Sequence, residues 1–278
     1  MALNQIAVLG PGLLGGSIGL AVKKRGLGDV RFWGRSEEKL SAVQERGFFA
    51  SIDLAEVVRG ADLVILATPV EFFDGLAQQL IVAGGDFVVS DVGSVKGSVE
   101  EGCGQKLRAA GFSFVGSHPM AGSEQGGFGA AKEDLFEGAT CFICPKGDGD
   151  EGGVVKEFWE ALGCVVEVVA ADVHDQTVAR ISHLPHALAS VTAKVALRKA
   201  GEGAFGGGGL GDTTRVASGN PEMWTGILLE NQKAVLEELK RASEEVATLR
   251  ELLTTEDRVG LLSWLREAKL YRDQLNGS

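Results

Sequence analysis

His118 and Ser94 are the residues of this 278-residue chain best suited to move a proton. His118 stands in GSHPMAGSE (116–124) and Ser94 in DVGSVK (91–96). A histidine near its ordinary pKa takes the proton of an alcohol as hydride leaves the same carbon. A serine hydroxyl orients such an imidazole or bonds the same alcohol. The plainer readings are a turn residue for Ser94 and a buried, satisfied histidine for His118. Two more histidines, His183 and His186, lie three apart in ISHLPH (181–186). A zinc site wants further ligands, and no acidic or cysteine cluster adjoins this pair, so no metal is expected. Their spacing puts both rings on similar faces of a helix, with Pro185 weakening the helical bond there. His183 is then a wall of the pocket or a support behind it.

A second constellation is suited to phosphate. GPGLLG (10–15) directly follows a strand-like run and directly opens a helix-like one. Gly10 permits the tight turn, Gly12 lets backbone approach a pyrophosphate, and Gly15 allows close helix–strand packing. The N–H groups of Leu13 and Leu14 open the helix, whose positive dipole end faces the phosphates. The next strand ends FWGRSEE (32–38) with Gly34, Arg35 and Ser36 at its tip and no acid for a ribose 2′-hydroxyl. An arginine and a hydroxyl suit a 2′-phosphate, so NADP is favoured over NAD. Stacking of Arg35 on the adenine of either cofactor is the competing reading. Thr68 and Pro69, after the run 62–67, are assigned to the cofactor as well.

These residues need a frame. The runs 5–10, 30–34, 62–67, 86–91 and 112–117 are almost continuously apolar, as in parallel strands buried on both faces. Helix-like segments such as 14–25 and 36–46 separate them. That order implies an α/β, Rossmann-type doubly wound parallel sheet, extended by ATCFICP (139–145) and VVEVVA (165–170). Ser94 and His118 then sit beyond the carboxyl ends of strands, where such sheets bind ligands. The C-x-x-C at 141–144 falls on a strand, where positions three apart face opposite sides.

Strand-like runs stop near Asp172, so the chain divides into a dinucleotide-binding domain, 1–171, and an all-helical domain, 172–278. GEGAFGGGGLGD (201–212) suggests a flexible connector, or a loop that approaches a ligand or subunit closely. Asn220 caps a helix with Pro221 at its first position. An apolar stripe through Ile227, Asn231, Val235, Leu239, Val246 and Leu253 predicts one helix of roughly thirty residues. So long a stripe finds little to pack on in a small domain, which points to a helical homodimer. Thr254 or Thr255 opens the last helix.

With 45% hydrophobic residues the chain can bury a sizeable core, and its net charge of −11 argues against nucleic acid and against anionic membranes. No run reaches the length of a membrane span. The first residues resemble no signal peptide, and a cytoplasmic protein is expected. Cys103, Cys141, Cys144 and Cys164 are too few for a disulfide framework.

VLGPGLLGGSIG, DVGSVK, SHPMAGSE, HDQTVARISHLPHALA and DTTRVASGNPEMW together resemble the prephenate/arogenate dehydrogenase family, in order from about residue 5 to about 235. The resemblance implies oxidative decarboxylation of prephenate to 4-hydroxyphenylpyruvate, with hydride passing to NAD(P)⁺. It implies that His118 bonds the C4 hydroxyl and accepts its proton, assisted by Ser94. It also implies that Arg215 holds a substrate carboxylate, as a guanidinium does with two parallel bonds. An i,i+3 pair with Asp212 is the structural alternative for Arg215. Ser123 and Glu124 match a position near the pocket entrance. His174 and Asp175 fall in a family motif but are read as helix-start structure, and Trp224 as core or interface. The second histidine of SHLPH is associated with prephenate use, so His186 favours prephenate over arogenate. Neither a mutase domain before the dinucleotide fold nor a regulatory domain after the helices is expected. The competing classes are a β-hydroxyacid dehydrogenase, for which Lys194 would be the catalytic lysine, and a non-catalytic NADP-binding regulator.

Overall fold

The computed structural model describes residues 3–123, 125–147 and 151–275. Its sheet contains β1 (Gln5–Leu9), β2 (Asp29–Trp33), β3 (Phe49–Ser51), β4 (Leu63–Leu66), β5 (Val88–Asp91), β6 (Ser113–Pro119), β7 (Thr140–Cys144) and β8 (Val165–Val168). The spatial order is β3-β2-β1-β4-β5-β6-β7-β8. Strands β1 to β6 pair in parallel, β7 runs antiparallel to β6, and β8 is parallel to β7. The expected strands are all present. β3 is an addition: its three residues are too few to show a periodicity.

Continuous apolar runs are explained by two covered faces. Ile6 and Val8 of β1, with Leu63 and Ile65 of β4, join one core cluster. Their sequence neighbours Ala7, Leu9, Val64 and Leu66 join the other. All eight side chains are fully buried, and each large one contributes about 1.5–3 kcal/mol relative to exposure. Cys141 joins the first cluster while Cys144 lies outside it, in keeping with alternation along β7.

The sheet order reverses between β1 and β4, and both strands end at this switch point. Gly10 follows β1, with φ +120° and its N–H on the Trp33 carbonyl at 2.9 Å. A Cβ on Gly10 would lie 2.7 Å from the Ala67 carbonyl oxygen, so no side chain fits there.

The chain forms two compact units, Met1–Gln232 and Lys233–Ser278. In the first, the helix Ala171–Val178 runs through a π turn, Ala179–His183, into the helix Leu184–Ala196. Pro185 is tolerated because it directly follows the π turn, in which the Leu184 N–H reaches back to the Ala179 carbonyl and the widened turn makes room for its ring. The glycine-rich segment is not a free loop. Residues Gly207–Thr214 are α-helical, and the hydroxyls of Thr213 and Thr214 bond the carbonyls of Gly209 and Leu210 at 2.8 and 2.7 Å.

Asn220 accepts a hydrogen bond from the Met223 N–H at 2.8 Å and caps the helix Pro221–Glu230. The single long helix of the sequence reading is broken at Asn231, and a second helix, Gln232–Thr254, follows. In the second unit Asp257, rather than Thr254 or Thr255, caps the helix Arg258–Gln274 by accepting from the Gly260 N–H at 2.9 Å. Leu236, Val246, Leu253, Leu262 and Leu265 of these helices are exposed. No helix among the described residues is long and apolar enough to cross a membrane.

Candidate active site

His118 occupies the penultimate position of β6, opposite Phe142 of β7, and is 7% exposed. Its Nδ1 lies 2.9 Å from Nε2 of the fully buried His174. The Nδ1 of His174 lies 2.8 Å from Oδ1 of Asp175. Asp175 in turn accepts the backbone N–H groups of Lys96, on Oδ1, and Gly97, on Oδ2, each at 2.8 Å. A Cβ on Gly97 would sit 2.8 Å from that Oδ2, so the glycine makes room for the carboxylate.

This chain of bonds fixes the proton positions. Burial raises the Asp175 pKa, but bonds from His174, Lys96 and Gly97 outweigh it and leave the pKa below the usual value. The carboxylate is therefore ionised and only accepts. His174 donates to it from Nδ1, which leaves Nε2 of His174 as an acceptor. His118 fills that acceptor from its Nδ1–H, so its own Nε2 carries a free lone pair. Burial first, then the neighbouring charges of His174 and Lys96, hold the His118 pKa well below 6.5. His118 is thus a neutral base at physiological pH, with an imidazole that is already oriented. His174 is lowered too, chiefly by burial. For stability the sign is plain: below pH 6.5 the unfolded histidines take protons that the folded ones refuse, so stability falls on acidification.

Ser94 does not orient the ring. It is half-buried in the turn after β5 and makes no hydrogen bond among the described residues. His174 holds the imidazole instead, and it is no mere helix-start residue. The only local sign of that role is an adjacent acid, which a helix start also explains.

Beneath the site lies an arrangement the sequence did not disclose. Asp91 at the end of β5 and Lys96 form an ion pair, 0% and 1% exposed. Oδ2 of Asp91 also accepts the N–H of Gly93 at 2.9 Å, and Oδ1 accepts that of Ser117 at 2.9 Å. Gly93 precedes Ser94 and Ser117 precedes His118. One carboxylate therefore ties both candidate catalytic positions together. The Ser117 hydroxyl bonds the Asp91 carbonyl, and Trp159 Nε1 donates to that hydroxyl at 2.9 Å.

Opposite charges give way to aromatic packing around the other two histidines. His186 stacks on Trp224 at 3.5 Å and 8°, and His183 meets the same ring edge-on at 6.1 Å and 87°. A Cβ on Gly219 would lie 2.5 Å from Trp224 Nε1, so this glycine admits the indole. Burial lowers the His183 pKa to about 4. Burial also lowers that of His186, opposed by the backbone of Val216. Arg215, next to Val216, is exposed, and no ion pair joins it to Asp212 among the described residues. Ser123 is exposed and exchanges hydrogen bonds of 3.2 Å with the backbone of Gln125. Glu124 lies outside the described residues.

At the glycine fingerprint, the N–H groups of Leu13, Leu14 and Gly15 precede the first intrahelical bond, from Gly16 N–H to the Gly12 carbonyl at 2.8 Å. A Cβ on Gly15 would fall 2.1 Å from the Gly10 carbonyl oxygen, whereas one on Gly12 would meet nothing within 4 Å. Gly15 is required by the protein's own packing. Gly12 faces open space and leaves room for a ligand. The helix Leu13–Arg25 has neither a capping side chain nor an acid in its first turn, so the residues fit a pyrophosphate. Arg35 is exposed, with its guanidinium 4.3 Å above the Phe72 ring. Ser36 caps the following helix by accepting from the Lys39 N–H at 3.3 Å. Thr68 and Pro69 directly follow β4's end region, the Thr68 hydroxyl lying 3.3 Å from the Pro69 carbonyl.

Comparison with known proteins agrees with this fold. The family models described as prephenate dehydrogenase, nucleotide-binding domain, and prephenate dehydrogenase, dimerization domain, match residues 18–168 and 170–267. A prephenate dehydrogenase of Bacillus subtilis (strain 168) is 34% identical, over 98% of this chain and 76% of that protein. The crystal structure of prephenate dehydrogenase from A. aeolicus in complex with hydroxyphenyl propionate and NAD+ has a TM-score of 0.92 at 30% identity, covering 99% of each chain. Synechocystis arogenate dehydrogenase has a TM-score of 0.82 at 27% identity, over 98% of this chain and 99% of that one. With both family models matched in order along most of the sequence, this chain belongs to the prephenate dehydrogenase family.

Proposed function

We propose that this chain converts prephenate to 4-hydroxyphenylpyruvate and CO₂, with transfer of hydride to a nicotinamide cofactor. The observation that carries this reading is the chain His118–His174–Asp175, which leaves a neutral, lone-pair-bearing Nε2 at the end of β6. That Nε2 accepts a hydrogen bond from the C4 hydroxyl. As the C4 hydrogen departs with its electron pair, the bond from C1 to its carboxylate breaks and the ring becomes aromatic. The hydroxyl proton passes to Nε2 of His118 as the hydride leaves, and the phenol oxygen recovers it in the product. The nicotinamide, when bound, supplies the hydride acceptor. Gly10, Gly12, Leu13, Leu14, Gly15, Thr68 and Pro69 hold the cofactor in this reading. In this reading Arg215 receives a substrate carboxylate, His186 and His183 line the side-chain end, Ser94 assists His118 at the C4 hydroxyl, and Ser123 and Glu124 are assigned to the pocket entrance.

The cofactor preference we propose is NADP over NAD. Phe72 holds the Arg35 guanidinium by its face, which leaves the N–H fork at its edge for a phosphate. The Ser36 hydroxyl accepts as a cap and still has its own hydrogen to donate. Arg35→Ala is expected to lower kcat/KM for NADP⁺ relative to NAD⁺ by about tenfold, the loss of a charge-assisted bond of about 1.4 kcal/mol. Initial rates with each cofactor check this, and an unchanged ratio would assign Arg35 to the adenine instead.

The proposed division at 171/172 is supported by the family models, which meet at 168 and 170. Homodimerisation through the helical part is supported by the dimerization-domain match and by the exposed apolar residues there. The decisive assay mixes the protein with prephenate or arogenate and NAD⁺ or NADP⁺ and follows reduced-nicotinamide absorbance. Prephenate should give the larger kcat/KM. Silence in all four combinations would sink the enzymatic reading, and signal with arogenate alone would sink the role given to His186.

A further inference from the structure

The break at Asn231 has chemical content. Asn231 is 5% exposed, and its Nδ2 lies 2.8 Å from the backbone carbonyl of Asp175. A carbonyl only accepts, so this contact settles which end of the amide is nitrogen. The same Nδ2 lies 3.2 Å from Nδ1 of His183. A nitrogen that faces an amide N–H2 must accept, so His183 carries its proton on Nε2. That Nε2 is buried and has no hydrogen-bond partner among the described residues, in a side chain only 1% exposed. A buried N–H without an acceptor is unfavourable, so this nitrogen is placed for an acceptor that a ligand brings.

We propose that Asn231 is a positioning residue that locks His183 in the Nε2–H tautomer, so that His183 donates a hydrogen bond to an oxygen of the substrate's carboxylate or keto group. This rests on the reading of the site as one for an oxygen-rich anion. It adds a cause for the polarity that the site displays: Asn231 reaches Asp175 and His183 together, and so ties the acceptor relay of His118 to the donor on His183. A substrate group with only hydrogens to offer, such as an ammonium, finds no acceptor on Nε2 of His183.

The test has two arms. Histidine ¹⁵N spectra of the wild-type protein should show His183 with a protonated Nε2 and a bare Nδ1. In Asn231→Leu, which removes both donors at similar volume, His183 should shift towards a mixture of tautomers. KM for prephenate should rise about tenfold, the loss of about 1.4 kcal/mol of binding, and by more than kcat falls. A wild-type His183 protonated on Nδ1 overturns the proposal, whether or not the variant folds. So does a variant with raised KM and an unchanged tautomer, since Asn231 would then be packing alone. The spectral arm needs no turnover, so it fails or stands independently of the identity of the substrate.

Discussion

His118→Asn is expected to lower kcat by about 10²–10⁴-fold, the usual contribution of a positioned general base, while cofactor affinity stays within about twofold. Asparagine keeps an N–H for His174 Nε2, 2.9 Å from the native Nδ1, so the relay behind it keeps its partner. It has no nitrogen lone pair with which to hold the C4 hydroxyl proton. Steady-state rates and a cofactor titration on the same preparation separate the two effects. Loss of cofactor binding with the loss of turnover would make His118 a structural residue. The pH profile carries the same argument: burial, then His174 and Lys96, hold His118 well below 6.5. Activity should therefore persist through neutral pH and fall only on acidification through that lowered value.

Lys96→Met should be the most destabilising single substitution near the site. It strands the Asp91 carboxylate, which is 0% exposed, without its cation. Removing one partner of a buried pair costs about 3–5 kcal/mol, or roughly 10 °C in Tm for a protein of this size. Asp91→Asn together with Lys96→Met removes both charges and should recover most of the stability. It should not recover activity. A neutral amide replaces the carboxylate that accepts the N–H groups of both Gly93 and Ser117, the residues before Ser94 and His118. Thermal unfolding of the three proteins, beside their kcat values, checks both statements. An unchanged Tm in Lys96→Met would mean that the pair is not the buried support described here.

Much of the frame was legible because it rests on local periodicity. The strands that make up most of the sheet announce themselves as apolar runs, and the glycine fingerprint sits where its strand and helix require it. β3 escaped because three residues carry no pattern. The glycine-rich segment misled because composition argues for a loop, while threonine hydroxyls and packing favour the helix that forms. Asn231 falls within an apolar stripe and looks like an interior position of one helix. Its reason for ending that helix lies 56 and 48 residues away, at Asp175 and His183. Lys96 was hidden for the same kind of reason. A lysine in a short motif suggests a solvated charge, and only the fold reveals that Asp91, five residues earlier, meets it in the interior. His118 was found from its type and place, but its orientation by His174 belongs to a contact across 56 residues.

The central claim is that His118 holds the proton of a C4 hydroxyl while the C4 hydrogen leaves with both electrons. Prephenate carrying deuterium at C4 tests it most directly. The account predicts one deuterium in each reduced nicotinamide, with 4-hydroxyphenylpyruvate and CO₂ formed in equal amounts, and in His118→Asn the same products at a rate lower by the factor given above. Deuterium released to water, or reduced nicotinamide formed without CO₂, would contradict it.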